Sequence, residues 1–199
     1  MKRSSVFNWC VSAMFLTGFS SVFAQKISSG NVAFLEGETA IRVVFDNSKL
    51  VYGDLKRSEE AYVSARAKVV ARNEAKEDFR KTWERHVNRN IPRKFLTSAN
   101  KNSDLQFVTD SLTNYTLIVK SLWMIPGEPG WKKARLNATL TFVDTQNLER
   151  EYLKIDFKRI KGGSMGKTRN LYMEECYAKT AKEMARLLKK QQRKKRGSL

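Results

Sequence analysis

Two runs in the C-terminal half of the chain alternate apolar and polar residues, and this period of two is the strongest constraint on the fold. The runs are "RLNATLTFV" (135–143) and "YLKIDFKRI" (152–160). Their apolar positions are Leu136, Ala138, Leu140 and Phe142 in the first run and Leu153, Ile155 and Phe157 in the second. Because successive side chains of a strand point to opposite faces, each run predicts a strand with one buried and one solvated face.

The neighbouring segments extend these two strands into a sheet. The run "YTLIVKSLW" (115–123) is apolar on both faces, which is typical of a central strand. The turn signals "PGEPG" (126–130) and "DTQN" (144–147) separate the three runs, so the sequence predicts an antiparallel meander. Near the N-terminus, "TAIRVVFDNS" (39–48) alternates in the same way and predicts a first strand.

Helical spacing occupies the two remaining parts of the chain. Ser58 is a predicted N-cap, followed by Glu59 and Glu60 at the positive end of the helix dipole. Two helices, or one bent helix, are predicted over 58–99, with Pro92 ending or kinking the second part. A closing helix over about 168–192 places one stripe on a single face. The stripe consists of Met173, Cys176, Tyr177, Thr180, Met184 and Leu188.

The predicted element order is β-α-α-β-β-β-β-α. This order predicts an α+β fold: a mostly antiparallel sheet of four to five strands with helices packed on one face. Residues 25–188 are predicted to form this single domain, since their number is sufficient for one hydrophobic core.

The first 24 residues have the pattern of a secretory signal. Lys2 and Arg3 precede an apolar run, and Val22-Phe23-Ala24 fits the small-residue rule for cleavage before Gln25. The apolar run is too short to span a bilayer comfortably. We therefore expect an exported bacterial protein, periplasmic or secreted, with no transmembrane span after cleavage. Cys176 is then the one thiol left, so the fold must depend on its core rather than on a disulfide.

The chain is strongly basic, with a formal net charge of +18. Two of these charges lie in the predicted signal and six in the last eleven residues, "KKQQRKKRGSL" (189–199), which predict a basic disordered tail. The remaining body carries about +10, a field that attracts polyanions. For an exported protein these are lipopolysaccharide, acidic glycans or phospholipid head groups, whereas nucleic acid is not an expected partner. The alternative is that the charge serves only solubility.

The segment "GGSMGKT" (162–168) resembles a nucleotide-binding P-loop between a strand and a helix. A P-loop needs four residues between its first glycine and Gly-Lys-Thr, yet Gly162 leaves only three before Gly166. The preceding strand belongs to an antiparallel meander, whereas P-loops follow buried parallel strands. We therefore expect a flexible connection, with Thr168 as a plausible N-cap, and at most a minor anion site at Lys167.

The sequence contains no assembled catalytic or metal-binding set. His86 is the one histidine and lies between Arg85 and Arg89, which disfavours a cation. Zinc requires three or four ligands, and none accompany His86 or Cys176. Cys176 lies on the apolar stripe of the last helix, where a buried thiol is inert. No catalytic residue, metal or cofactor is predicted.

A hairpin loop combines aromatic and basic residues. Trp123 and Trp131 bracket a proline-stiffened loop, and Lys132 and Lys133 follow it. This combination suits glycan stacking, an anionic lipid surface or a protein contact, but the tryptophans could equally cover the edge of the core. The predicted contact residues for an anion or a partner are Lys167, Trp123, Trp131, Lys132, Lys133, Lys194, Lys195 and Arg196.

Four stretches resemble a family of small exported α+β proteins of Bacteroidetes to which no function is assigned. The stretches are "EGETAIRVVFDNS", "NYTLIVKS" leading to "PGEPG", "NATLTFVDT" and "TRNLYMEECYAKTAKEMARLL". The resemblance covers most of the chain after the signal and implies the compartment and the fold, but no mechanism. Asp110-Ser111-Leu112 also resembles the short acceptor for O-glycosylation in exported proteins of that group.

These observations favour a non-catalytic exported protein of the cell envelope that acts by binding or as a structural accessory. A polyanion-binding protein is the first alternative, based on the basic body, the tail and the tryptophan hairpin. A hydrolase with an unrecognised site is the second, and it would need a pocket holding at least two of Asp, Glu or His86.

Overall fold

The chain forms an α+β domain in the computed structural model, which describes residues 25–72, 78–128, 132–163 and 169–196. The strands are β1 (Gln25–Gly30), β2 (Ala40–Asp46), β3 (Val51–Tyr52), β4 (Gln106–Val108), β5 (Tyr115–Ile125), β6 (Ala134–Asp144) and β7 (Glu151–Gly162). The α-helices are α1 (Glu59–Arg72), α2 (Phe79–Arg85), α3 (Ile91–Asn102) and α4 (Arg169–Arg196). The predicted signal, residues 1–24, lies outside the described residues.

The strands form one mixed sheet in the order β1-β7-β6-β5-β2-β4, with β3 paired to β5 beside this path. The meander β5-β6-β7 is antiparallel, as predicted, and β1 adds to its outer edge in the same sense. The pairs β2-β5, β2-β4 and β3-β5 are parallel. The prediction of a mostly antiparallel sheet of four to five strands is therefore wrong in strand number and in the orientation of one half.

The parallel half arises from the helices that follow β2. Helices α1, α2 and α3 carry the chain back to the end of the sheet at which β2 began, so β4 and β5 run in the direction of β2. Parallel neighbours require such a crossover, which short-range periodicity does not reveal. Strand β1 was missed because "QKISSG" is largely exposed and polar, with only Ile27 packed against the core.

The core lies between one face of the sheet and helices α3 and α4. The apolar positions of the meander are buried as predicted, and they include Leu140, Phe142 and Ile155, each 0 % exposed. The predicted stripe of α4 is also buried along its whole length, from Met173 to Leu188. Tyr177 on this stripe forms a buried hydrogen bond of 2.8 Å with the Ser121 hydroxyl of β5, which joins the two layers.

The middle helices differ from the prediction at Pro92. Helix α2 continues through a π-helical turn (His86–Asn90) directly into α3, and Pro92 lies in the first turn of α3. A proline is tolerated there because its missing N–H falls where the helical hydrogen-bond pattern is already changing. Pro92 therefore does not end the helix, because α3 continues past it to Asn102.

Helix α4 extends further than the sequence predicts. It continues to Arg196, whereas a disordered tail is predicted from Lys189 onward. The Lys189 ammonium lies 3.0 Å from the Asp104 carboxylate just beyond α3, so the helix still contacts the domain at this point. Cations in the last turns also interact favourably with the negative end of the helix dipole. No helix within the described ranges is apolar over a length that could cross a membrane.

Candidate functional site

The glycine-rich connection before α4 is a packing feature in the part that the structure describes. A Cβ atom on Gly162 would lie 2.2 Å from the Tyr172 carbonyl oxygen, so only glycine fits. The backbone N–H of Gly163 donates to the Glu175 carboxylate at 2.6 Å. These contacts fix the end of β7 against the first turns of α4. Residues 164–168, with Lys167 and the predicted N-cap Thr168, lie outside the described residues.

Cys176 and His86 are both buried between α4 and its neighbours. Burial raises the pKa of the Cys176 thiol to about 12, and its Sγ donates to the Ile160 carbonyl at 3.3 Å. A thiol with this pKa is a poor nucleophile, in agreement with the prediction of an inert buried cysteine. Among the described residues, no three of His, Cys, Asp and Glu are grouped closely enough to hold a metal ion.

His86 forms a buried pair with a carboxyl group of α4. Its Nδ1 atom lies 3.1 Å from Glu174 Oε1, and the two side chains are 1 % and 5 % exposed. Burial lowers the pKa of His86 to about 4 and raises the pKa of Glu174. Both pKa shifts have the same cause: burial disfavours the charged form of each side chain, because a charge is costly away from water. A pair enclosed in this way joins α4 to the π-helical turn and is not open to a substrate.

Trp123 of the predicted hairpin lines an open pocket on the sheet, whereas Lys132 and Lys133 are not among the residues that line it. Trp123 is half-buried, and its Nε1–H donates to the Gly53 carbonyl at 2.9 Å. Lys132 pairs with Asp54 across 3.0 Å, and Lys133 is exposed beside it. Trp131 lies outside the described residues. The described lining of the pocket is Val51, Asp54, Lys56, Leu122, Trp123, Asn137 and Arg159.

Two basic residues of this pocket have left-handed backbone conformations. Lys56 has a φ of 49° and Arg159 a φ of 53°, and these are the two non-glycine residues with positive φ among those described. The conformation costs a residue with a side chain roughly 1 kcal/mol, and such strain often occurs at functional sites. Both residues therefore hold unfavourable backbone angles at the same pocket.

The conformation of Arg159 follows from a β-bulge. The register between β6 and β7 shifts between Leu136 and Ala138, so β7 has one extra residue, and Lys158 and Arg159 both lie opposite Asn137. The Asn137 side-chain oxygen accepts a hydrogen bond from the Arg159 backbone N–H at 2.7 Å. A second bulge places Leu122 of β5 beside the same asparagine. Bulges redirect side chains, and here they turn Arg159 and Leu122 toward the pocket.

The pocket carries an excess of positive charge. The side chains of Lys56 and Arg159 form no ion pair with the described residues, whereas Asp54 is paired with Lys132. Arg presents a planar fork that can bind a carboxylate or phosphate with two hydrogen bonds, and Lys adds a point charge. Trp123 adds an aromatic surface at the rim. The arrangement fits an anionic group attached to a sugar or another flat apolar body.

Of the residues that line the pocket, the sequence identified Trp123 but missed Lys56, Asn137 and Arg159. One signal was present, because the buried positions of β7 change from odd to even numbers between Phe157 and Ile160. Such a change of parity marks a bulge. The approach of Lys56 is set by the parallel pairing of β3 with β5, which the sequence does not predict.

A second basic surface lies near the end of α4. It consists of Arg186, Lys189, Lys190, Arg193 and Lys194. Lys189 and Arg186 are paired with Asp104 and Glu183, so Lys190 and Arg193 are the side chains without an ion pair to the described residues. The side chains of Lys195 and Arg196 lie outside the described set. The described lining of the Trp123 pocket contains no residue of α4, so the two surfaces are built from different elements.

The fold and the pocket define an α+β protein with a mixed sheet and a basic, tryptophan-edged surface pocket. No family model matches the chain, and no curated protein matches it. The resemblance to exported Bacteroidetes proteins therefore stays a prediction.

Solved structures include distant neighbours of this chain. The PelC dodecamer from Paraburkholderia phytofirmans has a TM-score of 0.44 and 9 % identity, and the match covers 80 % of this chain and 96 % of that one. A point variant of the same PelC, also a dodecamer, has a TM-score of 0.41 and 10 % identity over 81 % and 96 % of the two chains. Similarity at this level does not define a shared family, and the dodecameric state is a property of those proteins.

Proposed function

We propose that the protein is a non-catalytic binding protein of the bacterial cell envelope, periplasmic or secreted, and that its ligand is an anionic polymer such as an acidic glycan or lipopolysaccharide. The observation that carries the proposal is the pocket in which Lys56 and Arg159 lie beside the half-buried indole of Trp123. The signal peptide predicted for residues 1–24 is the basis for the proposed compartment, and the net charge of +18 is the basis for the proposed class of ligand.

The chemistry of the pocket matches a charged sugar. A carboxylate or sulfate group would accept hydrogen bonds from Arg159 and be attracted by the charge of Lys56, while a pyranose ring would pack on the half-buried indole of Trp123. The described lining offers one carboxylate, Asp54, and Lys132 already holds it at 3.0 Å. The pocket therefore provides binding groups rather than the paired acid and base of a hydrolase.

The test uses a substitution that removes charge without disturbing the backbone. Asparagine tolerates the left-handed conformation of Arg159, so Arg159→Asn is expected to leave the stability unchanged and to weaken binding. Lys56→Gly acts in the same way at the second position. Heparin is the probe, and the salt concentration at elution from a heparin column is the measurement.

Lys158→Gln is the matched control, because it removes one charge from the exposed neighbouring residue on β7. We expect Arg159→Asn and Lys56→Gly to elute at clearly lower salt than Lys158→Gln, and the double variant at lower salt still. Equal elution of all these variants would mean that net charge alone holds the protein on the column, and the proposed site would be abandoned.

A further inference from the structure

The Trp123 pocket combines hydrogen-bond donors with one acidic acceptor. Lys56 and Arg159 donate, whereas Asp54 is the one acidic residue of the described lining. The Asn137 side-chain oxygen accepts from the Arg159 backbone N–H at 2.7 Å, so the NH₂ group of Asn137 is left to donate. An anionic group on a ligand needs donors and gains nothing from a carboxylate. A second kind of group on the ligand, one that donates hydrogen bonds, would explain why an acceptor lies among these donors.

Asp54 and Lys56 are carried by one turn after β3, and this turn is anchored to β5. The Lys56 backbone N–H donates to the Gly53 carbonyl at 3.2 Å, and the Gly53 N–H donates to the Met124 carbonyl of β5 at 2.8 Å. The Gly53 carbonyl also accepts the Trp123 Nε1–H at 2.9 Å. These hydrogen bonds fix the acidic and the basic residue of the turn relative to the indole of Trp123.

Asp54 keeps its capacity to accept hydrogen bonds although it is paired with Lys132. The Lys132 ammonium contacts Oδ2 at 3.0 Å, and Oδ1 forms no hydrogen bond with the described residues. The side chains of Asp54 and Lys132 are 68 % and 48 % exposed, and an exposed pair of this kind is weak. Because a carboxylate accepts several hydrogen bonds, Oδ1 is open to a hydroxyl group of a ligand.

The charges of the lining suit a ligand unit with a single anionic group. Lys56 and Arg159 supply two positive charges, and Asp54 supplies one negative charge. A carboxylate can bind the Arg159 guanidinium through two hydrogen bonds. The pocket has a volume of about 360 Å³, at the small end of the range for small-molecule sites. In so small a space a second anionic group, such as a sulfate, would lie close to Asp54 and be repelled.

We propose that the Trp123 pocket selects a uronic acid unit of a glycan, with one carboxylate and free hydroxyl groups, over a sulfated sugar, and that Asp54 determines this specificity. The inference rests on the proposed function, because it concerns the same pocket. The carboxylate of the ligand binds Arg159 and Lys56. Its hydroxyl groups donate to Asp54 and accept from the NH₂ group of Asn137. Specificity then has an attractive part, the bonds to the hydroxyl groups, and a repulsive part, the exclusion of sulfate.

The experiment compares two hexasaccharides by isothermal titration calorimetry with the purified protein. One is a heparin hexasaccharide, and the other is the same hexasaccharide after removal of its sulfate groups and N-acetylation of the freed amines. Asp54→Asn keeps the shape of the side chain and removes its charge. We expect this variant to bind the desulfated ligand about fivefold more weakly, because a charged acceptor is lost, and the sulfated ligand about threefold more tightly, because repulsion is lost.

Glu60→Gln is the matched control on α1. It also removes one exposed carboxylate that is held by an ion pair, with the Arg80 guanidinium at 3.3 Å, and Glu60 does not line the pocket. A change in net charge alone strengthens binding of both ligands, and we expect this result for Glu60→Gln. Opposite effects on the two ligands in Asp54→Asn would support the proposal. A shift of both ligands in the same direction, or no shift in either, would overturn it.

A variant at Arg159 separates this inference from the proposed function. Arg159→Asn should weaken binding of both hexasaccharides, because each places an anionic group on the guanidinium. If it does so while Asp54→Asn behaves like Glu60→Gln, the pocket binds the polymer and the specificity assigned to Asp54 is wrong. If Arg159→Asn changes the binding of neither ligand, the pocket is not the polymer site, and the proposed function fails together with this inference.

Discussion

Gly162 allows β7 and α4 to pack closely, because it has no side chain. A Cβ atom there would lie 2.2 Å from the Tyr172 carbonyl oxygen and 2.6 Å from the Cys176 backbone nitrogen. Both contacts are with the backbone of α4, which cannot move aside as a side chain can. We therefore expect Gly162→Ala to lower the free energy of unfolding by about 3 kcal/mol, measured by urea denaturation.

Gly37→Ala is the matched control for this substitution. Gly37 has a φ of 81° but nothing within 4 Å of its Cβ position, so alanine there is strained without a clash. We expect a loss of about 1 kcal/mol. A loss at Gly162 no larger than that at Gly37 would show that β7 and α4 adjust to the extra methyl group and that the close approach is not required.

The pair of His86 and Glu174 predicts a dependence of stability on pH. Burial lowers the pKa of His86 to about 4 in the folded chain. Between about pH 6.5 and pH 4, His86 is therefore protonated in the unfolded chain but not in the folded chain. Stability should therefore fall as the pH is lowered through this range, by at most about 3 kcal/mol. Thermal or urea unfolding in buffers across this range measures the slope.

Glu174 acts in the opposite direction. Burial raises its pKa, against the opposing charges of Lys94 and Arg93 on α3, so its contribution is present at low pH and is lost as the pH rises through the raised value. The two residues can be separated by substitution. His86→Gln should remove the loss of stability below pH 6.5, whereas Glu174→Gln should make that loss steeper. An unchanged profile in His86→Gln would assign the slope to other groups.

At the scale of elements, the Asn100 side chain forms the hydrogen bonds to β4 that a neighbouring strand would otherwise form. Its two hydrogen bonds to Phe107 satisfy the outward edge of β4. Asn100→Ala leaves those backbone groups without partners, so we expect a loss of about 2 kcal/mol. The opened edge should also self-associate, which sedimentation velocity would detect. Asn102→Ala is the control, because it removes one hydrogen bond to the Ser98 carbonyl and leaves the edge of β4 covered. We expect this variant to lose less stability than Asn100→Ala and to remain monomeric. If both variants self-associate equally, Asn100 does not protect the edge of β4.

Some elements could be predicted from the sequence and others could not. The strands from Tyr115 to Gly162 were predicted because alternation is a local property, fixed by the geometry of one strand. The parallel pairing of β2 and β5 joins residues about 70 positions apart, as between Val43 and Leu117, and no local pattern encodes it. The end of α4 was missed because a run of lysines and arginines has the composition of a disordered tail.

The candidate pocket was predicted only in part for the same reason. Trp123 and Lys132 adjoin one turn, so the sequence brings them together directly. Lys56 comes from a distant loop through β3, and Arg159 is turned into place by a bulge whose parity change is visible but whose direction is not. Prediction from sequence therefore identified the hairpin and missed Lys56 and Arg159, the basic residues that line the pocket.

For the whole molecule, the main question is whether the two basic surfaces act on one ligand. The Trp123 pocket and the end of α4, with Lys190 and Arg193, share no lining residue. A polymer that reaches both binds the second surface at a high effective concentration, whereas a short fragment binds one surface at a time. We therefore expect long heparin oligosaccharides to bind at least tenfold more tightly than short ones, measured by calorimetry.

Substitutions at both surfaces separate this effect from net charge. Arg159→Asn combined with Lys190→Gln and Arg193→Gln should abolish the dependence on ligand length, because neither surface then holds the chain. The control removes the same number of charges from the outer face of the sheet and from β1, through Lys26→Gln, Lys154→Gln and Lys158→Gln, and should retain the dependence. If both triple variants behave alike, the polymer responds to the total charge of the molecule and the two surfaces do not cooperate on one chain.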